Sequence, residues 1–172
     1  MSNRKLIHPI AVQKVMASFA DEIHNLTTAD GNRPKCKMVS THIGFCAYMN
    51  DIGKAKFRIG YNFELLYSVS HKPFSDHFRS ICPTAKGFAL VTLSLLHELG
   101  HYHTEREFEG YDRDVELRKI RNTCQTKAER ALAYFNLPDE KAATEWAIAW
   151  LQDPEHRKIA KRFEKKFFQC FK

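Results

Sequence analysis

The chain has 172 residues, a formal net charge of +7 and a hydrophobic share of 44%. That length supports one well-formed core and excludes two ordinary domains, so residues 1–172 are read as a single domain. No run of 18 apolar residues exists to cross a membrane, and the opening M-S-N-R-K-L-I-H-P lacks the continuous apolar stretch of a signal peptide, so a cytoplasmic protein with no membrane partner is expected.

From the N-terminus, Pro9 to Leu26 places Ile10, Val12, Val15, Met16, Phe19, Ile23 and Leu26 at helical spacing, with Pro9 in the first turn. Asp30-Gly31 and Pro34 break the polar stretch that follows. Met38 to Met49, rich in β-branched and aromatic residues, and Ala55 to Asn62, alternating in polarity, read as two strands. Asn50-Asp51-Ile52-Gly53 between them reads as the turn of a β-hairpin. Glu64 to Ile81 is ambiguous and reads as a short helix and a loop. Pro83 and Thr84 then start a helix that is apolar almost all round and runs to about Thr104, as a buried helix should. Glu105 to Arg113, with Gly110, is a loop. Helices follow over Asp114 to Asn122, Thr126 to Phe135 and Pro138 to Leu151. Asp153-Pro154-Glu155 opens a last one to about Phe171. The expected fold class is α+β, a small antiparallel sheet packed on several helices.

Five cysteines, Cys36, Cys46, Cys82, Cys124 and Cys170, are odd in number and form no C-x-x-C pair. They exclude a disulfide framework and a cysteine-held structural zinc, and they read as buried thiols in a reducing compartment.

The buried helix carries His97-Glu98-Leu99-Gly100-His101, a His-Glu-x-x-His pattern. A random chain of this composition would hold it with a probability on the order of 3%. Positions i and i+4 share a helical face, so His97 and His101 can hold one metal ion together. Glu98, one residue round, can reach a water at that ion as general base. Zinc is the expected cofactor. Gly100 costs roughly 1 kcal/mol inside a helix and admits a close neighbour. Catalytic zinc takes three protein ligands, so one more is needed. Glu140 shares a stripe with the small residues Ala143 and Ala147 and is favoured. Glu145, striped with Lys141 and Gln152, and Glu105, just past the helix, remain open. His103 points off the metal face. Tyr102, His103, Tyr111 and Tyr134 are all candidates to stabilise a reaction oxyanion.

The motif and its setting resemble the zincin metallopeptidases, specifically the ImmA/IrrE type of bacteria, phages and mobile elements. The resemblance covers roughly residues 85–151. L-L-H-E-L-G-H-Y-H at Leu95 to His103 looks like that family's active-site helix, and E-K-A-A-T-E-W-A at Glu140 to Ala147 is similar to its downstream glutamate helix. Where members often carry a second glutamate this chain has Ala142, and Thr144 replaces a common asparagine. The resemblance implies a minimal zincin-like domain with His97 and His101 as zinc ligands and Glu98 as catalytic base. It also implies an intracellular endopeptidase whose protein substrates include DNA-binding repressors.

The last helix interleaves Arg157, Lys158, Lys161, Arg162, Lys165 and Lys166 with Ile159, Phe163, Phe167, Phe168 and Phe171. An aromatic face packed on the core under a solvated basic face is expected. The basic face is also a candidate contact for nucleic acid or an acidic protein. Two other functions fit the motif. One is a non-catalytic zincin-scaffold interaction protein, an antirepressor or inhibitor with a structural metal. The other is a peptide deformylase, for which the upstream cysteine motif is missing.

Overall fold

The structure, a computed structural model, describes residues 9–27, 36–40, 46–49, 57–61 and 72–171. Among these are seven α-helices: α1 (Pro9–Thr27), α2 (Lys72–Ile81), α3 (Leu90–Thr104), α4 (Arg113–Thr123), α5 (Lys127–Phe135), α6 (Pro138–Gln152) and α7 (Pro154–Gln169). The chain is therefore mostly helical, and the expected α+β fold with an antiparallel sheet is corrected. Its only described extended segments are three of four or five residues: β1 (Cys36–Ser40), β2 (Cys46–Met49) and β3 (Phe57–Tyr61). They associate in the order β1-β3-β2, with β3 parallel to β1 and antiparallel to β2. Met38 to Met49 is thus not one strand. Alternation in a sequence marks extended chain but leaves the partner and its direction to tertiary packing. The Asn50–Gly53 turn lies outside the described residues.

The core is built by helices. α1 buries Val12, Met16, Phe19, Ala20 and Ile23, while Ile10 and Leu26, counted in the sequence stripe, are exposed. α7 lays Phe163 against α1, its ring stacked on that of Phe19 at 4.2 Å between centroids, and buries Phe167 next to it. Phe168 is on the outside. Met38 of β1 and Ile59 and Tyr61 of β3 join the same core, and Gln13 of α1 donates to the Met38 carbonyl at 2.7 Å.

α3 runs through the middle, and every residue from Val91 to Gly100 is buried. It starts later than the sequence suggests. Pro83–Gly87 is a separate turn of 3-10 helix, and Phe88 is extended. The start is set by α7: the Ala89 N–H and the Thr92 hydroxyl both donate to Glu164 Oε1, the latter at 2.9 Å. A carboxylate there satisfies free N-terminal donors and complements the positive end of the helix. No helix among the described residues is long and apolar enough to cross a membrane.

Candidate metal centre

The site forms where α3 meets α6, the most extensive helix contact among the described residues. Gly100 makes the approach possible. A Cβ there would lie 2.8 Å from the Ala143 Cα and closer still to the Ala143 carbonyl oxygen. With Ala143 and Ala147 fully buried in the seam, the start of α6 is drawn over the motif face of α3. Pro138 sits in the first turn of α6, and Asp139 and Glu140 follow it.

His97 and His101 have ring centroids 4.7 Å apart. Glu140 Oε2 meets His97 Nε2 at 3.0 Å, and Glu140 Oε1 lies 3.7 Å from His101 Nε2. One ligand atom from each of the three residues falls within 4.8 Å of the others. The other nitrogen of His97, Nδ1, is hydrogen-bonded to the Thr144 hydroxyl at 3.1 Å, and Phe74 of α2 packs edge-on against the same ring. His97 is thus fixed from both sides.

Three residues to which sequence reasoning assigned no role surround the His97–Glu140 pair. Arg113, the first residue of α4, donates from Nη1 to Asp139 Oδ2 and from Nη2 to Glu140 Oε1. Nη2 also donates to the Tyr134 hydroxyl at 2.7 Å. Thr144 and Asp139 complete the set. The Asp139-Glu140 doublet at a helix start was the one local signal; nothing in the sequence pairs it with an arginine 26 residues earlier.

The charges reinforce one another. Burial pushes the Glu140 carboxyl up, but hydrogen bonds and charge from His101 and His97 hold it well below the usual carboxylate range. Burial works against a charged His101. The hydrogen bond and charge of Glu140, then the charge of Glu98, nevertheless raise its pKa. Tyr134 is raised by burial and by Glu140, so its phenol stays protonated.

The remaining sequence candidates fall in distinct places. Glu98 is buried and its charge is felt by both His101 and Tyr134. Glu145 is exposed and pairs with Lys141 at 3.7 Å, away from the histidines. The Glu105 side chain lies outside the described residues. His103 turns to the other side of α3, stacked on Trp146 at 4.6 Å and hydrogen-bonded to Thr27. Burial, then the charge of His24, lowers its pKa to about 4. Tyr102 packs edge-on against His24. The Tyr111 hydroxyl is buried near Asp139. Of the four oxyanion candidates, Tyr134 has its hydroxyl in the Glu140 network.

Two imidazoles and a carboxylate are a donor set suited to zinc and to other first-row divalent ions, and their convergence on one point fits such an ion. Thr144 on His97 is the outer hydrogen bond a metal-binding histidine needs for its tautomer and orientation. A cavity of about 320 Å³ between α2, α5 and α6 is lined by His77, Ile81, Phe135, Lys141, Glu145 and Ile148, and of the residues around the metal candidates only Thr144 reaches it. Comparison with protein-family models, with curated proteins and with solved structures returns no match.

Proposed function

We propose that the chain is a zinc-dependent endopeptidase of the zincin kind that its motif resembles, acting on an intracellular protein. The observation that carries the reading is the convergence of His97, His101 and Glu140, from two helices, with a buried Glu98 beside them. Three protein donors are the usual complement of a catalytic rather than a structural zinc site. Zinc held by His97, His101 and Glu140 would supply Lewis acidity there, for the scissile carbonyl and for the attacking water. Glu98 takes the proton of the attacking water and returns it to the leaving amine. Tyr134, kept protonated, offers a hydrogen bond where negative charge develops. The family resemblance makes a DNA-bound repressor the substrate class to try first.

The test is Glu98→Gln. Zinc content stays at the wild-type level, and cleavage of a denatured-protein or peptide-library substrate falls by about 10²–10⁴-fold, the usual worth of a general base. A mutant with wild-type activity removes the mechanism. A second reading, a non-catalytic interaction protein, draws on the fact that Arg113 and the two histidines already satisfy Glu140. Wild-type protein that binds zinc but cleaves nothing favours it with the structural metal, and protein that takes up no zinc favours it without one.

A further inference from the structure

Glu140 is held by two different kinds of partner. Oε2 faces His97 at 3.0 Å, while Oε1 receives Nη2 of Arg113. The second arm of the same guanidinium goes to Asp139, so one planar fork spans two consecutive carboxylates at the start of α6. Tyr134 accepts from Nη2 at 2.7 Å and steadies the guanidinium from α5. The Glu140 side chain is 3% exposed, Asp139 12% and Arg113 36%.

From this geometry we infer that Arg113 is a positioning residue for the metal centre: by gripping Oε1 it fixes the Glu140 carboxylate, with Oε2 presented to His97 and Oε1 on the side of His101. The inference rests on the zinc reading above. Charge explains how a cation can serve beside a cation site. Asp139 balances Arg113, so the pair is neutral and Glu140 keeps its full negative charge for the metal. Geometry explains why arginine is needed. A planar fork can hold two carboxylates at set angles, whereas a lysine is a single flexible point charge. α4 and α5 bury none of their residues, yet they supply Arg113 and Tyr134, so this weakly embedded pair of helices reaches the centre through Glu140.

Charge and positioning predict different outcomes for Arg113→Lys, which keeps the charge and loses the fork. The experiment measures zinc affinity of wild type, Arg113→Lys and Tyr134→Phe by competition with a chromophoric chelator, and records the visible spectrum of each with cobalt(II). Thermal melting in chelator reports folding. Positioning predicts that Arg113→Lys melts cooperatively, binds zinc about 10–100-fold more weakly and shows an altered cobalt spectrum, with Tyr134→Phe shifted the same way by a smaller factor. Arg113→Lys that binds zinc as tightly as wild type, or more tightly, with an unchanged cobalt spectrum overturns the inference and leaves the zinc reading standing. Should Arg113→Lys fail to fold, Tyr134→Phe decides: weaker binding supports the inference, wild-type affinity overturns it. Wild-type protein that binds neither ion removes both this inference and the zinc reading.

Discussion

Gly100 of α3 lies directly against the backbone of Ala143 in α6, with space for a hydrogen and none for a methyl group. This contact sets how near Glu140 comes to His97 and His101. Gly100→Ala gains about 1 kcal/mol of helix propensity but forces the two backbones apart, an overpacking cost of about 1–3 kcal/mol. A net loss of stability is expected in chemical denaturation, together with weaker zinc binding. A variant more stable than wild type with unchanged zinc affinity would show that the two helices are free to separate without cost.

Thr144→Val keeps the shape of the side chain and deletes the hydroxyl on His97 Nδ1. Removing such an outer partner weakens metal binding by about 10–100-fold. Thr144→Ser, which restores the hydroxyl, recovers most of the affinity. Equal zinc affinity for the valine and serine variants would rule out this role.

Glu164→Gln tests the clamp that α7 places on the start of α3. The amide keeps one acceptor for the Ala89 N–H and the Thr92 hydroxyl but loses the negative charge at the helix N-terminus. A loss of about 1–2 kcal/mol in unfolding free energy is expected, at unchanged zinc stoichiometry. An unshifted denaturation midpoint would mean the charge contributes nothing.

Zinc affinity should depend on pH through His101. The metal needs the neutral imidazole, and the pKa of His101 is raised above its ordinary 6.5 by Glu140 and Glu98 against the opposing effect of burial. Binding therefore displaces a proton, and affinity starts to fall, by up to about tenfold per pH unit, already above pH 6.5. Titrations from about pH 8 to about pH 6 check this; a flat profile down to pH 6.5 would contradict it. Without metal the sign is opposite. The raised His101 contributes stability that is fully present below pH 6.5 and lost as pH rises through its folded pKa. The lowered Glu140 contributes stability that is present above pH 4.5 and lost as pH falls toward its folded pKa. Their joint contribution is largest between about pH 4.5 and 6.5.

What could be read from residue order was local. The four-residue spacing of His97 and His101 puts them on one helical face wherever that helix lies. The stripe of Glu140, Ala143 and Ala147 describes a face able to pack closely, and Thr126 and Asp153 mark helix starts by their own chemistry. The less local features were misjudged. The Pro83 proline predicts a helix start, yet the start of α3 is decided by a carboxylate from α7, 75 residues on. The alternating stretches predict an antiparallel sheet in an α+β fold, whereas among the described residues seven helices dominate and β1 pairs with β3 in parallel.

Sequence alone, then, determined the pair of histidines, Glu98 beside them and the small-residue seam, because each depends on spacing within a single turn or two of helix. Tertiary structure alone decided that Glu140 rather than Glu145 faces His97, that Thr144 braces that histidine, and that Arg113 and Tyr134 grip the carboxylate. Those contacts join groups 21 to 47 residues apart. Their geometry is set by how closely α3 and α6 pack, which side-chain periodicity does not encode.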